Sequence, residues 1–129
     1  MAEPKRRSKL EQKFEAVLNE YEIEYVYEKV KVPYVVPASD HKYIIDFSAK
    51  NGVHFEVKGW LQDHAERQKY ILVKQQHPDL DLRFVFDNVN KLCGGTKYTH
   101  AQWCNKFGFK YCSVNDKETI RAWAKEASK

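Results

Sequence analysis

The sequence predicts an α/β fold, and three observations support that prediction. Apolar residues at helical spacing follow a capping box that begins at Ser8. Two short runs of alternating apolar and polar residues flank the turn signal Asn51-Gly52. A second helical segment and a buried strand come next, so the predicted order is α-β-β-β-α-β-α-(β)-α. The length of 129 residues fits one domain, predicted over 1–129.

The first helix is predicted over residues 8–21. Ser8 and Glu11 have the spacing of a capping box, in which each side chain satisfies a backbone N–H of the other residue. The apolar residues behind the box recur at helical spacing: Leu10, Phe14, Val17, Leu18 and Tyr21. Residues 23–32 then alternate and are rich in Tyr, Val and Ile, which predicts a strand.

The segment 32–39 contains two prolines, Pro33 and Pro37. Proline lacks the N–H that a sheet ladder needs and fixes the backbone in an extended form. We therefore expect a stiff connector here rather than a central strand, and one that bridges rather than folds back.

The strongest strand signal is a β-hairpin over residues 42–48 and 53–58, with its turn at Lys50-Asn51-Gly52. A second helix is predicted over 63–77, because Asp63 and Glu66 have capping-box spacing and Pro78 ends the pattern.

The remaining elements are predicted from their flanking residues. Residues 81–86 are predicted to form a buried strand, and the glycine-containing loop 87–98 a flexible connection without chemistry. Helices at 99–107 and 116–127 then enclose a short segment at 109–112.

Charge and composition narrow the function. Lysine and arginine number 22 against 18 acidic residues, and the excess lies at the two ends of the chain, which makes a polyanionic partner plausible. The longest stretch free of charge and histidine has only eight residues, so no membrane span and no secretory signal are expected. Residues 1–7 are predicted to form a basic N-terminal arm. The three cysteines, an odd number at wide spacing, suit a reducing cytoplasm.

The hairpin carries the candidate chemistry. If Asn51 is the centre of the turn, Asp46 lies directly opposite Glu56, at a Cβ separation of about 5 Å. Like charges this close repel unless a cation lies between them. Lys58 falls on the same face as these two carboxylates.

Two interpretations of this face remain open. Asp46 and Glu56 can bind Mg²⁺ or Mn²⁺, while Lys58 orients or helps to deprotonate a metal-bound water molecule and offsets charge in the transition state. This combination is suited to phosphodiester hydrolysis. Alternatively, the face is solvated and carries a simple Lys–Glu pair. The opposite face is predicted to be core: Tyr43, Ile45, Phe47, Val53, Phe55 and Val57.

Asp46, followed after nine residues by Glu56-Val57-Lys58, resembles the PD-(D/E)XK nuclease superfamily. Longer stretches at 31–39, 51–59 and 76–81 resemble the phage endonuclease I family of four-way (Holliday) junction resolvases. This resemblance implies a restriction-endonuclease-like α-β-β-β-α-β core, with a mixed central sheet flanked by helices. Ile45 stands where the superfamily name records proline, a change that we interpret as structural.

The resemblance also implies residue roles. Asp46 and Glu56 would bind Mg²⁺ or Mn²⁺ together with the backbone carbonyl of Val57, and Lys58 would act on the attacking water. Glu11 would add a further catalytic and metal-binding carboxylate, although its position in the capping box favours a helix cap when it is considered alone.

By the same resemblance, the protein would form a homodimer. The segment 33–40 would bridge the two subunits and exchange their N-terminal helix and strand, so that Glu11 would act on the site of the partner subunit. The substrate would be branched DNA, recognised by shape through phosphate contacts. Candidate DNA-binding residues are Lys5, Arg6, Arg7, Lys9, Lys13, Arg67, Lys69 and Lys74.

Three further possibilities stay open at this point. Trp60, next to the predicted site, is either core or a platform for an unpaired base. Zinc-type ligands occur within twenty residues and could staple a binding module, although thiols without metal are favoured: Cys93, His100, Cys104 and Cys112. The protein could also bind branched DNA without cutting it.

Overall fold

A computed structural model describes residues 8–36 and 39–127 of the chain. Along the described chain, the elements are α1 (Lys9–Glu20), β1 (Tyr25–Tyr27), β2 (Lys31–Val36), β3 (Ser39–Ile44), β4 (Phe47–Ala49), β5 (Val53–Lys58), α2 (His64–Gln76), β6 (Asp81–Phe86), α3 (His100–Phe107), β7 (Tyr111–Ser113) and α4 (Lys117–Ala124). Within these residues, no helix is long and apolar enough to cross a membrane.

The main sheet has five strands in the order β1-β4-β5-β6-β7. β1, β4 and β5 pair antiparallel, whereas β5, β6 and β7 pair parallel. The antiparallel pairing of β4 and β5 follows from the short Asn51-Gly52 turn, and the parallel pairing of β5 and β6 follows from the α2 crossover between them. The predicted α/β class with a mixed central sheet is therefore confirmed.

Each face of the sheet has its own core. On one face, α1 and α4 pack through Phe14 and Ile120 against Phe47, Phe55 and other buried apolar residues. The rings of Phe14 and Phe47 lie 5.1 Å apart, edge to face. On the other face, α2 and α3 contribute Tyr70, Val73 and Trp103, which pack with Phe84 and Phe86 of β6.

The proline-containing segment differs from its prediction. β2 and β3 fold back on each other as an antiparallel pair, with Lys31 opposite Ile44 and Val36 opposite Ser39. Pro33 is tolerated in β2 because a two-stranded sheet leaves one edge of each strand unpaired. The prediction that this segment is not a central strand is confirmed, because β2 and β3 lie outside the main sheet. The expectation that it bridges rather than folds back is wrong within a single chain. Residues 37 and 38, at the predicted hinge, lie outside the described residues.

The predicted strand 42–48 is also divided. The chain bends at Ile45 and Asp46, where backbone hydrogen bonds from Ile45 N–H to Val30 carbonyl and from Glu28 N–H to Asp46 carbonyl replace the ladder. This bend ends the alternation of faces, so Tyr43 and Ile45 enter the α2 core rather than the α1 core that holds Phe47. Their predicted place on the Phe47 face is wrong. The positive φ of Glu28 likewise ends β1 after Tyr27.

The helix starts test two predicted caps. Both hydrogen bonds of the Ser8–Glu11 capping box are present, so that prediction is confirmed. At α2 the Asp63 side chain makes no capping hydrogen bond, so the second predicted box is wrong. Glu66, its predicted partner, is engaged elsewhere in the fold.

Candidate active site

The bend before β4 positions Asp46 against β5. Phe47 pairs with Phe55 and Ser48 with His54, the register predicted from the Asn51 turn. Where the strand pairing stops, the Asp46 side chain continues it, because its Oδ2 accepts the Val57 backbone N–H at 3.0 Å. At the bend, the Asp46 side chain therefore replaces a backbone partner of β5, and its carboxylate is fixed beside Glu56.

Glu56 lies deep in the protein, with 3% of its surface exposed. Two tyrosine hydroxyls donate to its carboxylate: Tyr43 Oη to Oε1, and Tyr70 Oη to Oε2 at 3.1 Å. Tyr43 comes from β3 and Tyr70 from α2, so a strand and a helix of this core hold the same Glu56 carboxylate. Such hydrogen bonds fix the orientation of an acceptor that has been removed from water.

Asp46 and Glu56 are two acids that lie close together away from water. Burial, and then the charge of Glu56, raise the pKa of Asp46 to about 8, against an opposing hydrogen bond from Val57. Burial also raises the pKa of Glu56, and the two carboxyl groups are hydrogen-bonded to each other. The charged form of each carboxyl group is therefore disfavoured, and protons on the pair offset the missing positive charge. A cation can replace these protons, so the donor set fits a hard divalent metal ion.

Lys58 places a positive charge beside Glu56. Its Nζ lies 3.0 Å from Glu66 Oε1 and 3.8 Å from Glu56 Oε2. Burial pushes the pKa of Lys58 down, but the attraction of Glu56 and Glu66 outweighs it and the net shift is upward. Lys58 is therefore an ammonium group at neutral pH, and it can donate a hydrogen bond or neutralise charge.

Glu66 and the two tyrosines are site residues that sequence analysis missed. Glu66 is assigned to a helix cap by its spacing from Asp63, yet its carboxylate binds Lys58. A usable signal was present in the sequence, because Glu66 and Tyr70 are four residues apart and so lie on one face of α2.

Glu11 faces the same region from α1. Its Oε1 accepts the Ser8 N–H at 3.2 Å and its Oε2 accepts the Tyr27 hydroxyl at 3.1 Å. Burial first, and then the charges of Glu11, Glu28 and Asp46, raise the pKa of Tyr27 to about 12. Glu11 thus caps its helix and also adds negative charge near Asp46.

No group of three or more His, Cys, Asp and Glu side chains is arranged to hold a metal within 8–36 and 39–127. Asp46 and Glu56 supply two adjacent carboxylates, while Glu11 is turned towards Tyr27. Among these residues, the alternative of a zinc-stapled binding module is wrong, because Cys112 lies in the α1 core whereas Cys93 and Cys104 lie in the α2 core. The nitrogens of His100 contact the Leu61 N–H and the Asn88 carbonyl.

The predicted DNA-binding residues fall into three groups. Lys5, Arg6 and Arg7 lie outside the described residues. Lys9 and Lys13 are exposed on α1, whereas Lys69 and Lys74 are half-buried on α2. Lys69 lies nearest to the site, with Nζ 4.8 Å from the Tyr70 ring centre and 5.1 Å from that of Tyr43.

Arg67 is the exception among the predicted DNA contacts. It is only 5% exposed, and its guanidinium donates to the backbone carbonyls of Leu61, Gln62 and Gly94 at 2.8 to 3.1 Å. These bonds tie the segment after β5 to the loop 87–98. Arg67 is therefore a structural residue rather than a phosphate contact.

Comparison with known proteins gives matches over nearly the whole chain. A family model described as phage endonuclease I matches residues 2–129. Endonuclease I of Escherichia phage T7 is 42% identical over 124 residues, which cover 95% of this chain and 80% of that protein. Endodeoxyribonuclease 1 of Enterobacteria phage T3 is 40% identical over 124 residues, with 95% and 79% covered.

Proposed function

This chain belongs to the phage endonuclease I family and is an endonuclease, and we propose that it hydrolyses phosphodiester bonds of branched DNA, including four-way (Holliday) junctions, with Mg²⁺ or Mn²⁺. The observation that carries the proposal is the buried pair of Asp46 and Glu56 beside Lys58. Two neighbouring buried acids lower the stability of the fold, and binding a cation accounts for their presence.

Asp46 and Glu56 would hold the metal ion, with the Val57 carbonyl and Glu11 as the further ligands that we predict. When bound, the ion would lower the pKa of a water molecule and offset charge on the phosphate. Val57 fixes Asp46 through its N–H, and the two tyrosines fix Glu56. The carboxylates are thus oriented before the ion arrives, which reduces the cost of ordering them on binding.

Lys58 acts as a charged hydrogen-bond donor in this proposal. Because Glu56 and Glu66 keep it protonated, it can orient the attacking water or stabilise the extra negative charge that develops on the phosphate. Its ammonium group is not a proton acceptor at neutral pH. This assigns activation of the water to the carboxylate and metal side of the site.

Branched DNA would be held mainly through its phosphates. Lys69 lies beside the site over Tyr43 and Tyr70, and Lys9 and Lys13 are exposed on α1. We keep Lys5, Arg6, Arg7 and Lys74 in the proposed contact set. Phosphate contacts carry no sequence information, so binding should depend on shape and fall steeply with salt.

We further propose a homodimer with exchanged N-terminal elements. The elements before residue 37 contact those after residue 39, since β1 pairs with β4 and α1 packs on β5 and α4. If the β2–β3 hairpin opens at residues 37 and 38, a second chain can supply the same contacts. A two-fold dimer would place two sites on the two strands of a junction. The reaction would take place in the cytoplasm of the phage-infected host cell.

Cleavage of a synthetic immobile four-way junction tests the activity. The substrate is compared with linear duplex of matching sequence, in Mg²⁺, Mn²⁺ or EDTA, with Asp46→Ala as the control. Symmetric nicks near the branch, lost in EDTA and in the variant, are the expected result. Tight junction binding without cleavage in either metal would instead support the non-cleaving, DNA-binding alternative.

Mixed dimers test the exchange of elements. In an exchanged dimer of Glu11→Ala and Asp46→Ala chains, the Asp46→Ala chain supplies Glu11 to the intact Asp46 of the other chain. One complete site is restored, so the mixture should nick one strand although neither variant cuts alone. Mixtures that remain fully inactive, with mass measurements confirming mixed dimers, would contradict the exchange.

A further inference from the structure

An exposed tryptophan lies at the exit from the active-site strand. Trp60 is 40% exposed, whereas Trp103 is 3% exposed and Trp123 is half-buried. Trp60 follows Lys58 by two residues, so their Cα atoms are at most about 7 Å apart. That distance corresponds to about two nucleotide steps along one strand of duplex DNA.

The Trp60 ring is held in place although it is exposed. Its indole N–H donates to the Leu92 carbonyl at 2.9 Å, which satisfies the polar edge of the ring. The Nζ of Lys91 lies 4.5 Å from the ring centre, in a cation–π contact. We call Trp60, Lys91 and the exposed side chain of Leu92 the aromatic platform.

The backbone on both sides of the aromatic platform is tied down by buried groups. The Leu61 N–H donates to His100 Nε2 at 3.1 Å, and the Leu61 carbonyl accepts the Gly94 N–H and Arg67 Nη1. Gly94 approaches so closely that a Cβ at this position would lie 2.1 Å from the Gln62 carbonyl oxygen. The loop 87–98, predicted to be flexible, is thus fixed to the segment that presents Trp60.

The charge around the aromatic platform selects its partner. Residues 87–110 contain the single acid Asp87 and four lysines, Lys91, Lys97, Lys106 and Lys110. A second aromatic residue of the same loop, Tyr98, also has a lysine over its ring, with Lys106 Nζ 4.6 Å from the ring centre. Exposed rings with ammonium groups beside them suit a partner with flat π-faces and negative charge, which describes a single nucleic-acid strand.

We propose that the aromatic platform binds an unpaired base of the DNA strand being cut, with Trp60 stacked on the base and Lys91 near the adjacent phosphate. The inference rests on the proposed function and predicts that, among branched substrates, those with unpaired nucleotides, such as flaps and mismatches, gain an additional contact. The fixed backbone pre-orients the ring, so little conformational entropy is lost when the base stacks.

Binding is tested in the Asp46→Asn background, with a four-way junction, a flap substrate and fully paired duplex. Trp60→Leu should weaken flap binding about 10-fold relative to duplex, the range expected for loss of one base–ring stack, and Trp60→Phe should retain most of the affinity. Lys91→Gln should lower binding to all three substrates and reduce its salt dependence. Thermal unfolding of each variant checks that the fold is intact.

Tryptophan emission gives a second measurement that does not depend on cleavage. A single-stranded oligonucleotide should quench the emission of the parent, and Trp60→Phe should abolish that quenching. Trp123→Phe is the matched control, because Trp123 also lies against a cation, Arg83, but on the opposite face of the sheet. It should leave the quenching intact.

Three results would overturn the proposal: equal flap and duplex losses in Trp60→Leu, quenching that survives in Trp60→Phe, or a change of oligomeric mass in place of a change in DNA binding. If the parent fails to cut any branched DNA yet its Trp60 emission is quenched, the proposed function fails while the stacking inference stands. If the parent cuts junctions and Trp60→Leu has the same relative affinities for junction, flap and duplex as the parent, only the stacking inference fails.

Discussion

Two charge clusters, each built around one buried charged residue, lie on opposite faces of the strand pair β5 and β6, and they favour opposite states of charge. On the α4 face, Arg83 is 1% exposed and forms paired hydrogen bonds of 2.5 to 2.9 Å with Asp81 and Glu126. On the α2 face, Asp46 and Glu56 adjoin each other, and Lys58 lies nearer to Glu66 than to Glu56.

The pKa directions show the difference. Hydrogen bonds from Arg83 hold the pKa of Glu126 below its usual value, and those bonds raise the pKa of Arg83 further, so the charged forms are favoured. At the other cluster, burial and Glu56 raise the pKa of Asp46 to about 8, so its charged form is disfavoured. The Arg83 cluster stabilises the fold, whereas the Asp46 cluster has a deficit of positive charge that a ligand can fill.

Replacing the aspartate in each cluster should separate the two roles. We expect Asp46→Asn to lower cleavage of a four-way junction at least about 1000-fold, or about 4 kcal/mol of transition-state stabilisation, because an amide cannot replace the carboxylate as a cation ligand. The same variant should be more stable than the parent to urea at pH 8 without metal, because a buried negative charge is removed. Single-turnover cleavage and urea unfolding measure the two effects.

Asp81→Asn is the matched control for that experiment. It makes the same chemical change on β6, on the other side of β5, but it removes a partner of the buried Arg83. We therefore expect lower stability at pH 8, with junction cleavage retained below the unfolding midpoint. If both variants changed stability in the same direction, the contrast between the clusters would be wrong.

The second prediction concerns the Arg83 cluster. Arg83→Met should lower the free energy of unfolding by about 3 kcal/mol, because it leaves Asp81 and Glu126 without the cation that pairs them. Urea unfolding at pH 7 measures the loss. The control is Arg121→Met, which removes an exposed arginine whose guanidinium lies over the Tyr21 ring. It should lower the free energy of unfolding by less than about 1 kcal/mol.

The pH dependence of stability provides the third test. The folded pKa of Asp46 is raised, so the folded state keeps a proton that the unfolded state releases near pH 4. The stability that Asp46 contributes is therefore complete below about pH 4 and is lost as the pH rises to about 8. Measured against Asp46→Asn, the metal-free parent should lose stability throughout this range, by at most about 1.4 kcal/mol for each pH unit.

Mg²⁺ should reverse that loss. At pH 8, millimolar Mg²⁺ should raise the unfolding midpoint of the parent but not that of Asp46→Asn, since a ligand stabilises the state that binds it. A parent whose stability difference from Asp46→Asn did not change between pH 4 and 8 would contradict a raised Asp46 pKa.

The site illustrates which features the sequence can predict. The proximity of Asp46 and Glu56 was predictable because the Asn51-Gly52 turn sets a local register. The bend at Ile45 and Asp46 was not, because it depends on backbone hydrogen bonds with Glu28, which donates, and Val30, which accepts, and both are far from the turn. Tyr43 thereby moves from the predicted Phe47 face to the side of Glu56.

Arg67 shows a second limit. Its positive charge suits phosphate and buried carbonyl oxygens equally, so residue type cannot distinguish a surface contact from a structural one. Its position three residues before Tyr70 places it on the buried face of α2, and the acceptors that make burial possible are carbonyls of the segment after β5 and of the loop that contains Gly94.

The smallest predicted effect concerns Glu66. This residue adds a further negative charge to the Asp46 cluster, so it does not supply the positive charge that the cluster lacks. Glu66→Gln removes the acid 3.0 Å from Lys58 and leaves Glu56, at 3.8 Å, as the remaining acid paired with that ammonium group. We expect kcat for junction cleavage to fall about 10-fold with little change in KM, because Lys58 stays charged but is less well oriented. Glu118→Gln, an exposed acid in the first turn of α4, is the control. A rise in KM with kcat unchanged would mean that Glu66 acts on DNA binding and not on the position of Lys58.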